Sequence, residues 1–278
     1  MQRELQLRII SGILMAAVVL VLTWFGGLPF RIMAVAIGLL IYYEWSTVTR
    51  LPDVDIQGNA WGWISVAVIG LNVLFGDDSH AVPLLLGAVV AAALLVIARK
   101  RSWWLPGGIL YAGLSSIALA AIRGDSQPGF VAMLFVFAVV WGTDVLAYFT
   151  GRAIGGPKLA PRISPGKTWS GAVGGAVFGV LAGCAVIYAE FAVPGLWIIA
   201  IAFALSVCSQ AGDLFESFVK RRFGVKDSSH LIPGHGGVMD RVDGLVFACF
   251  AAFLMGAAYA ASGGAIDSVG AYLIGLSG

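Results

Sequence analysis

Charged side chains are scarce in this 278-residue sequence: Asp, Glu, Lys and Arg make up 12% of it. A soluble domain carries about 25%. So little charge argues against a water-soluble domain and against a nucleic-acid partner. Cysteine is scarcer still. Cys184, Cys208 and Cys249 lie far apart inside apolar runs, which speaks against a cysteine metal cluster and leaves a disulfide without support. A small-residue cleavage pattern is also missing. The first apolar segment, Ile9 to Phe25, follows Arg3 and Arg8 but no A-x-A motif directly abuts its end, so it is expected to remain as a helix. The net charge of +2 says little by itself.

Apolar residues fill the space that charge leaves, at 59% of the chain. A bilayer crossing takes about 20 apolar residues. Nine spans are expected, near 9–26, 31–49, 60–75, 81–98, 103–122, 129–149, 170–192, 195–212 and 243–262. The expected fold is an all-α, polytopic integral membrane protein. Residues 1–100 are expected to be structural or dimer-forming, and 101–278 to carry the chemistry. Glycine is abundant at 37 residues, and Gly171, Gly175, Gly179 and Gly183 recur every fourth position. They share one helix face, so another helix can approach their bare backbone closely. The tail after Ser262 is too short to cross again and could lie at the interface.

Lys and Arg sort by side. The N-terminus, Arg50, the Arg99–Arg101 cluster, the segment 150–169 and the segment 213–242 together hold 15 of the 17, leaving Arg31 and Arg123 for the opposite side. Cytoplasmic connections are enriched in these residues. The N-terminus and both long loops are therefore expected in the cytoplasm, and the C-terminus outside.

Candidate chemistry gathers in those two loops. The first, 151–171, holds Arg152, Lys158, Arg162 and Lys167 and no acid. Ser164, Lys167 and Thr168 stand before an expected helix start, whose free N–H groups favour anions. The P-loop spacing is absent, and the cations could equally serve only to set topology. Asp144 sits inside the sixth span, where a carboxylate points to function, with pairing to Arg152 as the structural alternative. The second loop begins at Asp213, with Glu216 one turn later. It passes through Lys220, Arg221, Arg222 and Lys226 and ends at Asp240, Arg241 and Asp243. Asp240 and Asp243 are three apart and face the same way on a helix. N-capping would need one of them. Two, with Asp213, suit Mg²⁺ and phosphate oxygens better. The residues alone point to phosphoryl or nucleotidyl transfer at the membrane surface, with a lipid headgroup as one substrate.

The segment from Ser217 to Asp243, SFVKRRFGVKDSSHLIPGHGGVMDRVD, resembles the signature of the phosphatidate cytidylyltransferases, the CDP-diacylglycerol synthases. Ser217, Lys220, Arg221, Lys226, Asp227, His235, Gly236, Gly237, Asp240, Arg241 and Asp243 all match it. The upstream KLAPRISPGKTWSG and the D-x-x-A-Y of Asp144 to Tyr148 are similar to the same family. The resemblance implies transfer of CMP from CTP to phosphatidate in a bacterial cytoplasmic membrane, with Mg²⁺ as cofactor and a homodimer as the assembly. It implies Asp213, Asp240 and Asp243 as metal ligands. Lys220 and Arg241 would join them as catalytic residues. Asp144, Lys158, Ser164, Lys167, Thr168, Arg221 and Lys226 would bind substrate.

Two rivals remain. A CDP-alcohol phosphotransferase would share the D-x-x-D-G of Asp240 to Gly244, but the Arg and the later Asp pair its pattern needs are absent. An ion or solute transporter would scatter charge through its spans, whereas here charge lies in loops and at span ends.

Overall fold

The computed structural model describes residues 2–190, 195–232, 234–265 and 267–276, with 2–9 described by backbone alone. It is almost entirely helical, and the chain forms two compact units. The first holds residues 1–120 and 222–241, and the second 121–221 and 242–278. Eight helices among the described residues are long and apolar enough to cross a bilayer, and one further apolar stretch, Ile10–Phe25, is shorter. The chain is a polytopic membrane protein.

The first unit contains α1 (Gln2–Phe25), α2 (Gly27–Val48), the short α3 (Leu51–Val54), α4 (Ile56–Phe75), α5 (Ala81–Arg99) and most of α6 (Trp104–Arg123). Small residues let these helices meet. A Cβ on Gly38 of α2 would come within 2.9 Å of the Ala112 carbonyl of α6. Nearby, the Ser116 hydroxyl donates across to the Ala34 carbonyl at 3.2 Å. Trp45 lies over Gly108 and donates its indole N–H to the Trp104 carbonyl at 2.9 Å. The Asp55 carboxylate caps α4 by accepting from the Gly58 amide at 3.0 Å.

The second unit contains α7 (Gln127–Ile154), α8 (Trp169–Glu190), α9 (Leu196–Arg222), most of α10 (Met239–Ala261) and the short α11 (Val269–Leu273). The glycine face packs as its spacing predicts. Cβ atoms on Gly171, Gly175 and Gly179 of α8 would lie 2.8, 2.7 and 2.8 Å from the carbonyls of Ala147, Thr143 and Val139 of α7. At the same crossing level, Thr143 and Ser206 hydroxyls meet at 2.7 Å in the interior. The tail packs α11 on α7, where Gly270 would bring a Cβ to 2.7 Å from the Gly129 Cα.

Two details differ from the sequence expectation. The charged stretch after Asp213 is not all loop, because α9 runs on to Arg222. Residues 213–222 contain no Gly or Pro, bury Glu216 and Val219, and carry an i,i+4 Glu216–Lys220 pair at 2.6 Å. The helix stops only where Gly224 takes φ +72°. The upstream loop, expected as a structured turn region, contains a regular element. After Gly155 and Gly156 end α7 at positive φ, β1 (Lys158–Ala160) and β2 (Ser164–Thr168) form a short antiparallel hairpin.

Candidate active site

A cavity of about 650 Å³ opens in the second unit, walled by α7, the hairpin, the start of α8, and α9. Six residues singled out from the sequence line it: Asp144, Lys158, Ser164, Lys167, Thr168 and Asp213. The hairpin explains why Lys158 and Thr168 arrive together, since they are register partners. Gly155, Gly156 and Gly166 stand in its wall with open space where side chains would be. Lys167 reaches across and places its ammonium 2.6 Å from the Asp213 carboxylate. Thr168 also has a local role: its Oγ1 accepts from the Gly171 amide at 3.1 Å and caps α8.

Asp213 lies where α9 and α10 cross. A Cβ on Gly244 would be 3.0 Å from Asp213 Oδ1, and one on Gly212 would be 2.5 Å from the Asp243 carbonyl. Asp243 accepts from the Gly244 amide at 2.9 Å. Its carboxylate feels the charge of Asp213 most, then those of Glu216 and Asp144. Asp144 in turn feels Asp213 and the opposing Lys167. The unit thus concentrates negative charge from three helices, with Lys167 and Lys220 set against it. Ser209, one turn before Asp213, keeps a buried hydroxyl with no hydrogen-bond partner among the described residues.

Among the described residues, no group of three or more His, Cys, Asp or Glu side chains is placed to hold a metal ion. The three carboxylates expected to do so are divided, Asp240 in the first unit and Asp213 and Asp243 in the second. The pair in the second unit still suits a hard divalent cation. It offers oxygen donors only, beside a buried hydroxyl, and Mg²⁺ takes one or two carboxylates and completes its shell with phosphate and water.

The other expected residues are placed as follows. Lys220 is largely buried and bound to Glu216 at 2.6 Å, while Arg221 is exposed near the end of α9. Lys226 is exposed in the first unit's loop. Asp240 Oδ2 accepts from the Ser228 amide and hydroxyl, each at 2.9 Å, and from the Gly237 amide at 2.8 Å. Arg241 donates from Nε to the His235 carbonyl at 3.0 Å.

Three polar side chains in the cavity had no assigned binding role: Arg152, Tyr148 and Gln210. Arg152 donates to the Tyr148 hydroxyl at 2.9 Å. Gln210 stands one turn before Asp213 on the same helix face, a spacing that could have flagged it.

An apolar groove of about 850 Å³ adjoins this cavity within the unit. Val173 and Val177 of α8 and Phe203 and Val207 of α9 line it. It shares Leu159, Ala172 and Gln210 with the polar cavity.

Comparison with known proteins adds to this geometry. The family model described as "Cytidylyltransferase family" matches residues 6–259. The phosphatidate cytidylyltransferase of Brucella abortus is 47% identical over 261 residues, covering 92% of this chain and 95% of its own. That of Haemophilus influenzae is 35% identical over 280 residues, covering 88% and 96%. That of Bacillus subtilis is 32% identical over 254 residues, covering 88% and 94%.

Proposed function

The chain belongs to the cytidylyltransferase family and transfers CMP from CTP to phosphatidate, giving CDP-diacylglycerol and pyrophosphate, and we propose that this chemistry takes place in the cavity between α7, the hairpin and α9. The observation that carries the placement is the joining of two unlike spaces. A polar cavity with Lys158, Lys167 and Ser164 shares a wall with an apolar groove. That pairing matches a reaction between a water-soluble triphosphate and a membrane lipid.

A phosphatidate phosphate oxygen attacks the α-phosphorus of CTP. A new P–O bond forms there as the bond to the bridging oxygen of pyrophosphate breaks. The attacking phosphate is already ionised, so the residues need not supply a strong base. Their work is to hold two anions together. Lys167 and Lys158 offset phosphate charge, and Ser164 donates a hydrogen bond. Asp213 and Asp243 would hold Mg²⁺, which when bound would draw negative charge from the reacting phosphates. Asp240 belongs to the same set by the resemblance, as do the cations Lys220, Arg221, Lys226 and Arg241. The groove between α8 and α9 would take an acyl chain. The lysine and arginine asymmetry supports a cytoplasm-facing cavity in a bacterial inner membrane. A homodimer rests on the resemblance alone.

The test is Asp243→Asn in purified protein. CDP-diacylglycerol formation should fall about 100-fold or more. Chelation should stop the wild type, and added Mg²⁺ should restore it. Near-normal Mg²⁺-dependent turnover by the variant would overturn the placement.

A further inference from the structure

Glu44 lies in α2, far in sequence from every candidate site residue, and its side chain is fully buried. A buried carboxylate is costly unless its oxygens are satisfied. Here both are. Oε1 accepts from the Ser229 hydroxyl at 2.6 Å and the Val238 amide at 2.8 Å. Oε2 accepts from the Ser228 hydroxyl at 2.9 Å and the Met239 amide at 2.6 Å. All four donors belong to the segment 228–239, and all five residues lie within the first unit.

Two of those donors are amides at the start of α10, which lack partners within the helix. Glu44 therefore caps α10 from another helix, adding negative charge where the helix dipole favours it. The Ser228 hydroxyl is shared, since it also lies 2.9 Å from Asp240 Oδ2. Glu44, Ser228 and Asp240 thus form one connected cluster. The loop is cut to fit the carboxylate: a Cβ on Gly237 would lie 2.5 Å from both Glu44 oxygens. A helix seated by its first turn has its rotation and axial position fixed. Asp243 follows Asp240 by three residues on that helix.

We propose that Glu44 is a positioning residue for the transferase reaction, holding the 228–239 loop and the first turn of α10 so that Asp240 and Asp243 are correctly aimed. This rests on the functional reading above and extends it to a part of the chain that the signature does not include.

Glu44→Gln tests it with little change of shape. Whichever way the amide turns, its NH₂ faces a backbone N–H, of Val238 or of Met239, that cannot accept. Hydrogen exchange of peptides covering 228–239, measured without metal or substrate, should speed up about tenfold or more. Turnover per folded molecule should fall about 10- to 100-fold, as for residues that orient metal ligands. KM for CTP should stay within about twofold, because the lost interaction acts on alignment. Ser116→Ala, which removes a buried hydrogen bond of the same unit away from the loop, should lower thermal stability and change neither readout. If Glu44→Gln does not fold, Ser229→Ala removes one of the four bonds and should give the same two changes at a few-fold. Unchanged exchange would show that Glu44 does not hold the loop. Faster exchange with unchanged turnover would show that the held loop does not serve the reaction. Absence of CDP-diacylglycerol formation by the wild type would instead overturn the functional reading, leaving the exchange result to stand alone.

Discussion

Replacing Lys167 should separate activity from stability. Its ammonium lies 2.6 Å from Asp213, with side-chain exposures of 32% and 21% for the two partners. At an effective dielectric near 20, unit charges about 4 Å apart attract by about 4 kcal/mol. At this exposure, solvent screening and side-chain entropy reduce the net contribution to about 1 kcal/mol. Lys167→Met keeps most of the stem and removes the charge, so unfolding should shift by about 2–4 °C. Catalysis should respond far more. In the proposed site Lys167 would face two phosphorylated substrates, and loss of one charge-stabilising donor costs about 2.7–4 kcal/mol in the transition state, or 10²–10³ in rate. The assay is incorporation of labelled CTP into CDP-diacylglycerol in detergent micelles, normalised to folded protein and read beside a thermal unfolding curve. A loss of less than about threefold in kcat/KM, or a loss that only tracks the folded fraction, would refute a phosphate-binding role.

Three further outcomes follow from packing within the two units. Gly175→Leu puts a Cβ 2.7 Å from the Thr143 carbonyl and forces α7 and α8 apart, which should cost about 1–3 kcal/mol or more in thermal unfolding. Gly87→Ala, where no atom lies within 4 Å, should leave stability unchanged or slightly raised. Ala200→Trp should fill part of the apolar groove. Displacing two or three acyl methylenes, at about 0.8 kcal/mol each, should raise KM for long-chain phosphatidate about 15- to 60-fold. KM for CTP and for a short-chain phosphatidate should hold, and an equal rise for short chains would remove the groove from the lipid path.

The sequence by itself determined the class of protein and the identity of most polar side chains in the cavity. Scarce charge and repeated apolar runs leave little but membrane helices, and a glycine every fourth residue in α8 dictates close approach because the helical period is fixed. The loop residues Lys158, Ser164 and Lys167 were legible because cations and hydroxyls stand out against an apolar background. Tertiary structure decided what charge patterns cannot carry. The 155–168 stretch became a hairpin through cross-strand pairing. The 213–222 stretch became helix because Glu216 and Val219 found a buried face. Glu44 is the clearest case. A lone acid inside an apolar span was a visible signal, but its four donors lie 184 to 195 residues further along the chain, and only folding brings them to it.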